Sequence, residues 1–135
     1  MKIEGNCHCG QIAFEADVDP NTVAVCHCTD CQNLTGSAFR ANVSAPADSF
    51  VLLRGEPKIY IKTTAESGRQ RAHAFCPNCG TPIYAAAVSN TPSYSLRLGT
   101  IKQRAELPPP RIQIWCQSAL PWSMNIQGIE KRDRQ

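Results

Sequence analysis

The sequence lacks the long hydrophobic runs of a membrane protein and the apolar leader of a secreted one. Its longest apolar candidate, residues 84–88 (YAAAV), has the length of a strand and falls far short of a membrane span. The first residues, MKIEG, do not form a signal-peptide pattern. We therefore expect a soluble, cytoplasmic protein without a membrane partner.

The sequence also lacks a basic cluster of the kind that binds nucleic acid. Its 14 Lys and Arg and 11 Asp and Glu give a formal net charge of +3, and the basic residues are scattered. If seven cysteines bound two divalent ions as thiolates, seven negative and four positive charges would cancel this excess. The few aromatic residues (two Trp, three Tyr and four Phe) suffice for a β core. We expect no nucleic-acid partner.

Cysteine, in contrast, is abundant. Seven of the eight cysteines fall into three close-set motifs, Cys-x-Cys at 7–9, Cys-x-Cys-x-x-Cys at 26–31 and Cys-x-x-Cys at 76–79. In a reducing compartment such motifs indicate metal binding and not disulfides, and Cys-x-Cys is a poor disulfide spacing. The motifs are typical of zinc ligands.

The spacing favours one grouping of these cysteines. One ion would take four thiolates from two distant pairs: Cys7, Cys9, Cys76 and Cys79. Bringing these pairs together costs on the order of 3–4 kcal/mol in loop closure, whereas a structural zinc supplies roughly 10–16 kcal/mol. A local set of three would remain: Cys26, Cys28 and Cys31. A second grouping stays open, in which Cys7, Cys9, Cys26 and Cys28 share one ion and Cys31 joins the late pair.

The set of three is one ligand short of the four that zinc prefers. His8 and His27 each lie between two ligands, so we expect them to point away, towards solvent or a hydrogen-bond partner. His73 has the pattern of an ordinary surface or half-buried histidine. Asp30 is expected to be a turn residue, and Cys116 a small buried hydrophobe on a strand. The fourth position is therefore expected to stay open.

An open site with three thiolates suits a soft ligand. Three anionic sulfurs reduce the positive charge of the ion, which makes it a weak activator of water. An incoming thiol can bind there as its thiolate at neutral pH. Beside an aldehyde, such a thiolate would form a hemithioacetal. The residues thus indicate a thiol substrate without specifying which thiol.

Short alternating segments predict a mostly β fold in a single domain spanning 1–135. Strands are predicted at 11–18, 23–25, 37–43, 50–53, 58–62, 70–75, 81–88, 94–101 and 111–116. The little helix expected is a turn at 32–35 ended by Gly36, and a single turn at 44–48 capped by Ser44. Residues 107–110 (LPPP) form an extended connector, and the tail from about Gly128 is expected to be flexible.

Three stretches together resemble the glutathione-dependent formaldehyde-activating enzyme family, whose domain is shared with centromere protein V. They are CHCG at 7–10, CHCTDC at 26–31 with TGS at 35–37, and CPNCGTPIY at 76–84. The resemblance spans about residues 7–122 and implies a β-tent fold with two zinc ions. It implies a structural zinc at Cys7, Cys9, Cys76 and Cys79, and a catalytic zinc at Cys26, Cys28 and Cys31. It also implies the activity of an S-(hydroxymethyl)glutathione synthase, a carbon–sulfur lyase that joins glutathione to formaldehyde.

Three functions remain open at this stage. The first is an enzyme that adds a thiol such as glutathione to a small aldehyde, for which Ser37, Phe39 and Arg40 are possible pocket residues. The second is a non-catalytic, zinc-stabilised binding module, favoured by a fourth protein ligand and an exposed apolar patch. The third is a redox enzyme using Cys31 or Cys116, which predicts a single zinc and a rapidly alkylated thiol.

Overall fold

The computed structural model describes residues 1–135 as ten strands with little helix, which confirms the mostly β prediction. The strands are β1 (Lys2–Asn6), β2 (Ala13–Asp17), β3 (Asp19–Cys26), β4 (Arg40–Pro46), β5 (Val51–Arg54), β6 (Lys58–Lys62), β7 (Arg71–Phe75), β8 (Pro82–Ala87), β9 (Ser93–Arg97) and β10 (Ile112–Ile114). The α-helix α1 spans Thr29–Thr35, and the 3-10 helices span Ala47–Ser49, Leu98–Thr100, Cys116–Ser118 and Pro121–Met124. No helix is both long and apolar enough to traverse a membrane.

The strands form two sheets that share one core. The smaller sheet has the order β1-β2-β5, and the larger has the order β10-β3-β4-β9-β8-β7-β6. All pairs are antiparallel except the parallel pair of β10 with β3. The alternation predicted for the first segment holds, because Ile12, Phe14, Ala16 and Val18 are all buried. Side chains of both sheets join them in one cluster, including Val43, Ile83 and Leu96.

Close packing between β1 and β2 in the small sheet explains why residue 5 is glycine. Gly5 of β1 lies opposite Phe14 of β2, and a Cβ at Gly5 would be 2.1 Å from the Phe14 ring. The ring thus fills the volume that any other residue at position 5 would need. β1 itself was not predicted, because five residues with three charged or amide side chains carry a weak strand signal.

Several boundaries differ from the prediction. β3 begins at Asp19, four residues before the strand predicted at 23–25, and its ladder with β4 is irregular between Asp19 and Ala24. The predicted turn at 44–48 was wrong, since Ser44 lies within β4 and the 3-10 turn begins at Ala47. β9 ends at Arg97 in a 3-10 turn, and residues 107–110 form no ladder, as expected.

Two prediction errors concern the surroundings of the cysteines. The helix begins at Thr29, within the CHCTDC motif, and not at residue 32, although it ends as predicted at Gly36 (φ 64°). The last strand stops at Ile114, and Cys116 lies in the following 3-10 helix with its side chain exposed. The expectation of a buried strand cysteine at 116 was therefore wrong. The tail beyond Gly128 has no strand or helix, and its flexibility stays a prediction.

Candidate functional site

The structure brings together four cysteines from two distant segments. These residues, the four-cysteine cluster, are Cys7, Cys9, Cys76 and Cys79, and their sulfur atoms lie within 4.8 Å of one another. The Sγ–Sγ distances are 3.6 Å between Cys7 and Cys9 and 3.7 Å between Cys9 and Cys76. With bonds of about 2.3 Å, a tetrahedral metal site requires ligand sulfurs about 3.8 Å apart. The cluster therefore fits a tetrahedral ion.

Matching turns hold each pair of this cluster. Gly10 (φ 80°) and Gly80 (φ 74°) take the left-handed backbone that closes the two turns. The Ile12 amide donates to the Cys7 sulfur at 3.2 Å, and the Gly10 amide donates to the Cys7 carbonyl at 3.1 Å. On the other side, a hydrogen bond from the Thr81 hydroxyl lowers the pKa of Cys79 to about 5. The Ile12 amide and the Thr81 hydroxyl, which donate to sulfur, stabilise thiolate charge.

The remaining motif forms a local set, the three-cysteine cluster of Cys26, Cys28 and Cys31. Its sulfur atoms also lie within 4.8 Å of one another, and no His, Cys, Asp or Glu joins them as a fourth. Cys26 ends β3, Cys31 lies in the first turn of α1, and Cys28 is the N-cap, whose sulfur accepts the Cys31 amide at 3.2 Å. The preferred grouping from the sequence is therefore the one that the fold brings together.

The charge of this cluster is shared unequally between its thiols. A hydrogen bond from Cys31 lowers the pKa of Cys26 to about 5, with further help from the Cys28 amide and the charge of Arg40. The same hydrogen bond and burial raise the pKa of Cys31. The surroundings thus favour at least one thiolate before any ion is bound.

The other candidate ligands lie outside both clusters. His27 is buried and its Nε2 lies 2.8 Å from Gln113 Oε1, so a hydrogen-bonding role was right and a solvent-facing one wrong. His8 is exposed, as expected. Asp30 occupies the first turn of α1 and not a free turn, and its carboxylate binds Lys62 Nζ at 2.8 Å. The Cys116 thiol donates to the Gln113 carbonyl, at 3.6 Å.

A cleft of about 450 Å³ opens beside Cys28. Its lining includes Cys28, Asp30, Lys62, Arg71 and Trp115. Trp115 has a left-handed backbone (φ 59°), which is costly for a bulky residue and is found where a structure holds a side chain in place. The adjoining turn is fixed by Gln32 of α1, whose amide donates to the carbonyls of His27 and Ser118. Nothing in the local sequence pattern indicates this cleft.

A second, separate group of polar residues adjoins the three-cysteine cluster, since Arg40 lies opposite Cys26 in the β3–β4 ladder. Arg40 of β4 and Arg97 of β9 are buried, and both approach His73 Nδ1, at 3.5 Å and 3.2 Å. Burial and the two guanidinium charges lower the pKa of His73 to about 3. Burial and the charge of Arg40 lower the pKa of Arg97 to about 9. His73 is half-buried as expected, but its contact with two arginines was not anticipated.

Among the three pocket candidates from the sequence, Arg40 lines a cavity. Phe39 packs its ring against His27 at a centroid distance of 5.6 Å, and Ser37 is exposed. Arg97 and Trp115 were missed because single arginines and tryptophans on strands and turns are usually surface or core residues, and nothing in the local pattern marks them otherwise.

Comparisons with known proteins agree with these observations. The family model described as "Glutathione-dependent formaldehyde-activating enzyme" matches residues 2–118. An uncharacterized lyase of Schizosaccharomyces pombe is 29% identical over 99 residues, covering 73% of this chain and 68% of that protein. A Halomonas elongata protein, provisionally named a glutathione-dependent formaldehyde-activating enzyme, is 28% identical over 88 residues. That match covers 62% of this chain and only 55% of the relative's length.

A solved structure shares the fold. The crystal structure of a Rhodobacter sphaeroides protein superposes with a TM-score of 0.62, covering 82% of this chain and 98% of the other at 18% identity. Both cysteine clusters can hold a metal ion, and the family match runs through all seven cysteines that form them. The chain belongs to the glutathione-dependent formaldehyde-activating enzyme family.

Proposed function

We propose that this protein is a zinc-dependent carbon–sulfur lyase that joins a thiol such as glutathione to formaldehyde or another small aldehyde. The observation that carries the proposal is the three-cysteine cluster, in which three sulfurs converge without a fourth protein ligand. An incoming thiol would complete the tetrahedral set. The name of the family and that of the Halomonas relative support glutathione and formaldehyde as the substrates.

The two clusters are assigned different roles in this proposal. The four-cysteine cluster would hold a structural zinc, because four thiolates complete the coordination of the ion. The three-cysteine cluster would hold the catalytic zinc, since it lies at the cleft through Cys28. At that position zinc would supply a positive charge that lowers the pKa of a fourth, exogenous thiol.

The protein groups around the cleft would bind and orient the substrates. The Cys31 amide donates to Cys28 and holds that sulfur at the helix N-terminus. The ion pair of Asp30 with Lys62 joins α1 to β6, so the two walls of the cleft keep their spacing. Trp115 covers one side with an apolar ring, and Arg71 contributes positive charge for an anionic substrate.

The reaction itself balances without a redox partner. The thiol sulfur attacks the aldehyde carbon, one carbon–sulfur bond forms, and the π bond of the carbonyl breaks. The oxygen takes a proton, and the proton lost by the thiol passes to solvent, which reaches the open cleft. The main contribution of the protein is to hold the thiolate and the aldehyde at reacting distance.

The test measures formation of the adduct by NMR exchange spectroscopy with glutathione and formaldehyde. Zinc-loaded protein is expected to raise the exchange rate above the spontaneous rate, and Cys28→Ser is expected to return it to that rate. Cys116→Ser is the matched control, because Cys116 is exposed and lies outside both clusters. Equal rates for wild type and Cys28→Ser would refute the proposal.

One observation favours the alternative of a non-catalytic binding module. The C-terminal part of the chain exposes several large apolar side chains, among them Trp122, Met124, Ile126 and Ile129. Such residues are typical of a protein-binding surface. The module predicts that zinc at the three-cysteine cluster does not respond to glutathione. Zinc analysis before and after addition of glutathione therefore separates the two functions.

A further inference from the structure

Two buried arginines in this protein have no carboxylate partner. Arg40 is 4% exposed and Arg97 is 6% exposed, yet neither forms an ion pair with Asp or Glu. The Nε atoms of both side chains are buried and donate to no protein acceptor. Burying a cation is costly unless an anion accompanies it. The pair of guanidiniums therefore needs a negative charge that the protein supplies only in part.

The two arginines line a cavity of about 240 Å³, which we call the arginine pocket. Leu34 of α1, Tyr60 of β6 and Gly80 beside the four-cysteine cluster form other parts of its wall. Arg40 donates to His73 through Nη1 only, so its Nη2 is available to a ligand. The pocket shares no lining residue with the cleft at Cys28.

His73 keeps the two guanidiniums together. Its Nδ1 lies 3.5 Å from Arg40 Nη1 and 3.2 Å from Arg97 Nη2, so it accepts from two cations. A neutral ring that accepts at Nδ1 carries its proton at Nε2. Arg97 also donates to Asn42 Oδ1, its partner across the β4–β9 ladder. Both arginines are thus held by neutral acceptors, which fix their positions and leave their charges uncompensated.

The arginine pocket lies close to the three-cysteine cluster. Arg40 is directly opposite Cys26 in the β3–β4 ladder, so the two side chains lie on one face of the sheet. With a divalent ion bound, the three thiolates would leave one net negative charge beside two guanidiniums. One positive charge would remain for a ligand.

The β6–β7 hairpin sets the distance between the pocket and the cleft. The cross-strand pair Lys62 and Arg71 lines the cleft, and the pair Tyr60 and His73 lines the arginine pocket. These pairs are two residues apart, so they lie on one face and are separated by about 7 Å. A thiol of a few carbon atoms with a terminal carboxylate spans such a distance.

We propose that the arginine pocket is a subsite for a carboxylate of the thiol substrate, held by Arg40 and Arg97. This inference rests on the proposed function and specifies its substrate class as a thiol that carries a carboxylate. A guanidinium binds a carboxylate through paired hydrogen bonds, which a neutral thiol cannot offer. The subsite would therefore select anionic thiols and direct their sulfur towards the three-cysteine cluster.

The test observes the arginine side-chain NH resonances of zinc-loaded, ¹⁵N-labelled protein during titration with four ligands. S-methylglutathione keeps its carboxylates but has no thiol, and is expected to shift the resonances of Arg40 and Arg97 saturably. The same compound with both carboxylates amidated is expected to cause no shift. Acetate is expected to shift them only at much higher concentration, because it lacks the rest of the substrate. Glutathione is expected to act like S-methylglutathione.

Variants extend the test to affinity. Arg97→Gln is expected to weaken binding of S-methylglutathione at least about tenfold, since one charge-assisted pair is lost. Arg97→Lys keeps the charge without the paired geometry, and its affinity for S-methylglutathione is expected to lie between those of the wild type and Arg97→Gln. Arg111→Gln is the matched control, because Arg111 is exposed and bonds Asn21 far from the pocket. The wild-type titration needs no variant, so it decides the matter even if Arg97→Gln does not fold.

Each outcome has one meaning for the proposal. Shifts with S-methylglutathione but not with its amide support the subsite, even if the protein fails to accelerate adduct formation, which would refute only the proposed function. Absence of shifts with any carboxylate refutes the subsite, even if adduct formation is accelerated. Equal affinity for acetate and S-methylglutathione also refutes it, because the pocket would then hold a free small anion and not the substrate.

Discussion

The two cysteine clusters differ in how the chain supplies their sulfurs. The four-cysteine cluster joins two segments far apart in sequence, and each segment makes a glycine-closed turn around its pair. The three-cysteine cluster comes from six consecutive residues at the junction of β3 and α1. Loss of an ion would therefore have different consequences, because only the first cluster holds distant parts of the fold together.

The two clusters also differ in their surroundings. The four-cysteine cluster meets the core through Cys7 and Cys76, which are fully buried. The three-cysteine cluster lies between an open cleft and a pocket with two uncompensated arginines. One cluster thus has the surroundings of a structural element, and the other those of a binding site.

The largest expected difference is between variants that each lack one cysteine, one variant for each cluster. Cys76→Ser is expected to prevent stable folding, because the lost structural zinc contributes roughly 10–16 kcal/mol and domain stabilities are about 5–15 kcal/mol. Cys28→Ser is expected to leave the fold intact, since serine is itself a favoured N-cap for α1. Circular dichroism and thermal melting measure the difference. Similar melting temperatures for the two variants would contradict the contrast.

Replacing a left-handed glycine near either cluster by alanine should lower the free energy of unfolding by an intermediate amount. Alanine at Gly80 or Gly36 meets no neighbouring atom, so its cost is backbone strain of about 1–2 kcal/mol at either site. Gly80→Ala should also loosen the structural ion, whereas Gly36→Ala should affect the end of α1 only. With zinc bound, we expect urea denaturation to show a larger loss for Gly80→Ala than for Gly36→Ala, and we expect a chelator to remove zinc faster from Gly80→Ala than from Gly36→Ala. Equal sensitivity to chelator would show that Gly80 has no bearing on the ion.

Acid is expected to lower the stability of the folded protein through His73. Burial and the charges of Arg97 and Arg40 lower the pKa of His73 to about 3, below the ordinary value of 6.5. The unfolded chain takes up this proton below pH 6.5 while the folded protein does not, so stability falls as pH drops from 6.5 towards 3. NMR of the imidazole should show a neutral His73 from pH 8 to about pH 5. Titration of His73 near its ordinary pKa would contradict the burial described.

The smallest expected effect concerns the ion pair between α1 and β6. Lys62 and the Thr64 hydroxyl lower the pKa of Asp30, so the stabilisation is present above the ordinary carboxyl pKa and is lost as pH falls through the folded value. Asp30→Asn should cost less than about 1 kcal/mol, because the pair is partly exposed. Glu4→Gln, which breaks the exposed pair with Lys102, is the control and should not change the unfolding midpoint. An equal effect of both substitutions would show that Asp30 does not anchor the helix.

The sequence predicted the cysteine chemistry better than its surroundings. Cysteine spacing is a local signal, and its preferred grouping is the one that the fold assembles. Alternation likewise predicted β6 to the residue, as well as the buried face that contains Phe14. Boundaries failed where strands run into turns, as at Asp19 and Ser44, because the ladder with a distant strand overrides local turn preference.

The sequence indicated Arg40 as a pocket candidate, but its pairing with Arg97 and His73 could not be predicted, because it arises only through tertiary contact. Arg40 and Arg97 are 57 residues apart in sequence, yet they meet at His73 through strand pairing in the large sheet. A lone arginine on a strand is usually exposed, so nothing in the local pattern marks these two as buried. Trp115 similarly depends on a left-handed backbone that no turn motif announces.

The zinc content of the purified protein, with and without glutathione, tests the central claim most directly. The account predicts two zinc ions per chain, of which a mild chelator removes one quickly without loss of circular dichroism, and glutathione slows that removal. A single zinc per chain, or two ions that leave at the same rate and ignore glutathione, would contradict the claim that the three-cysteine cluster is an open site for a thiol.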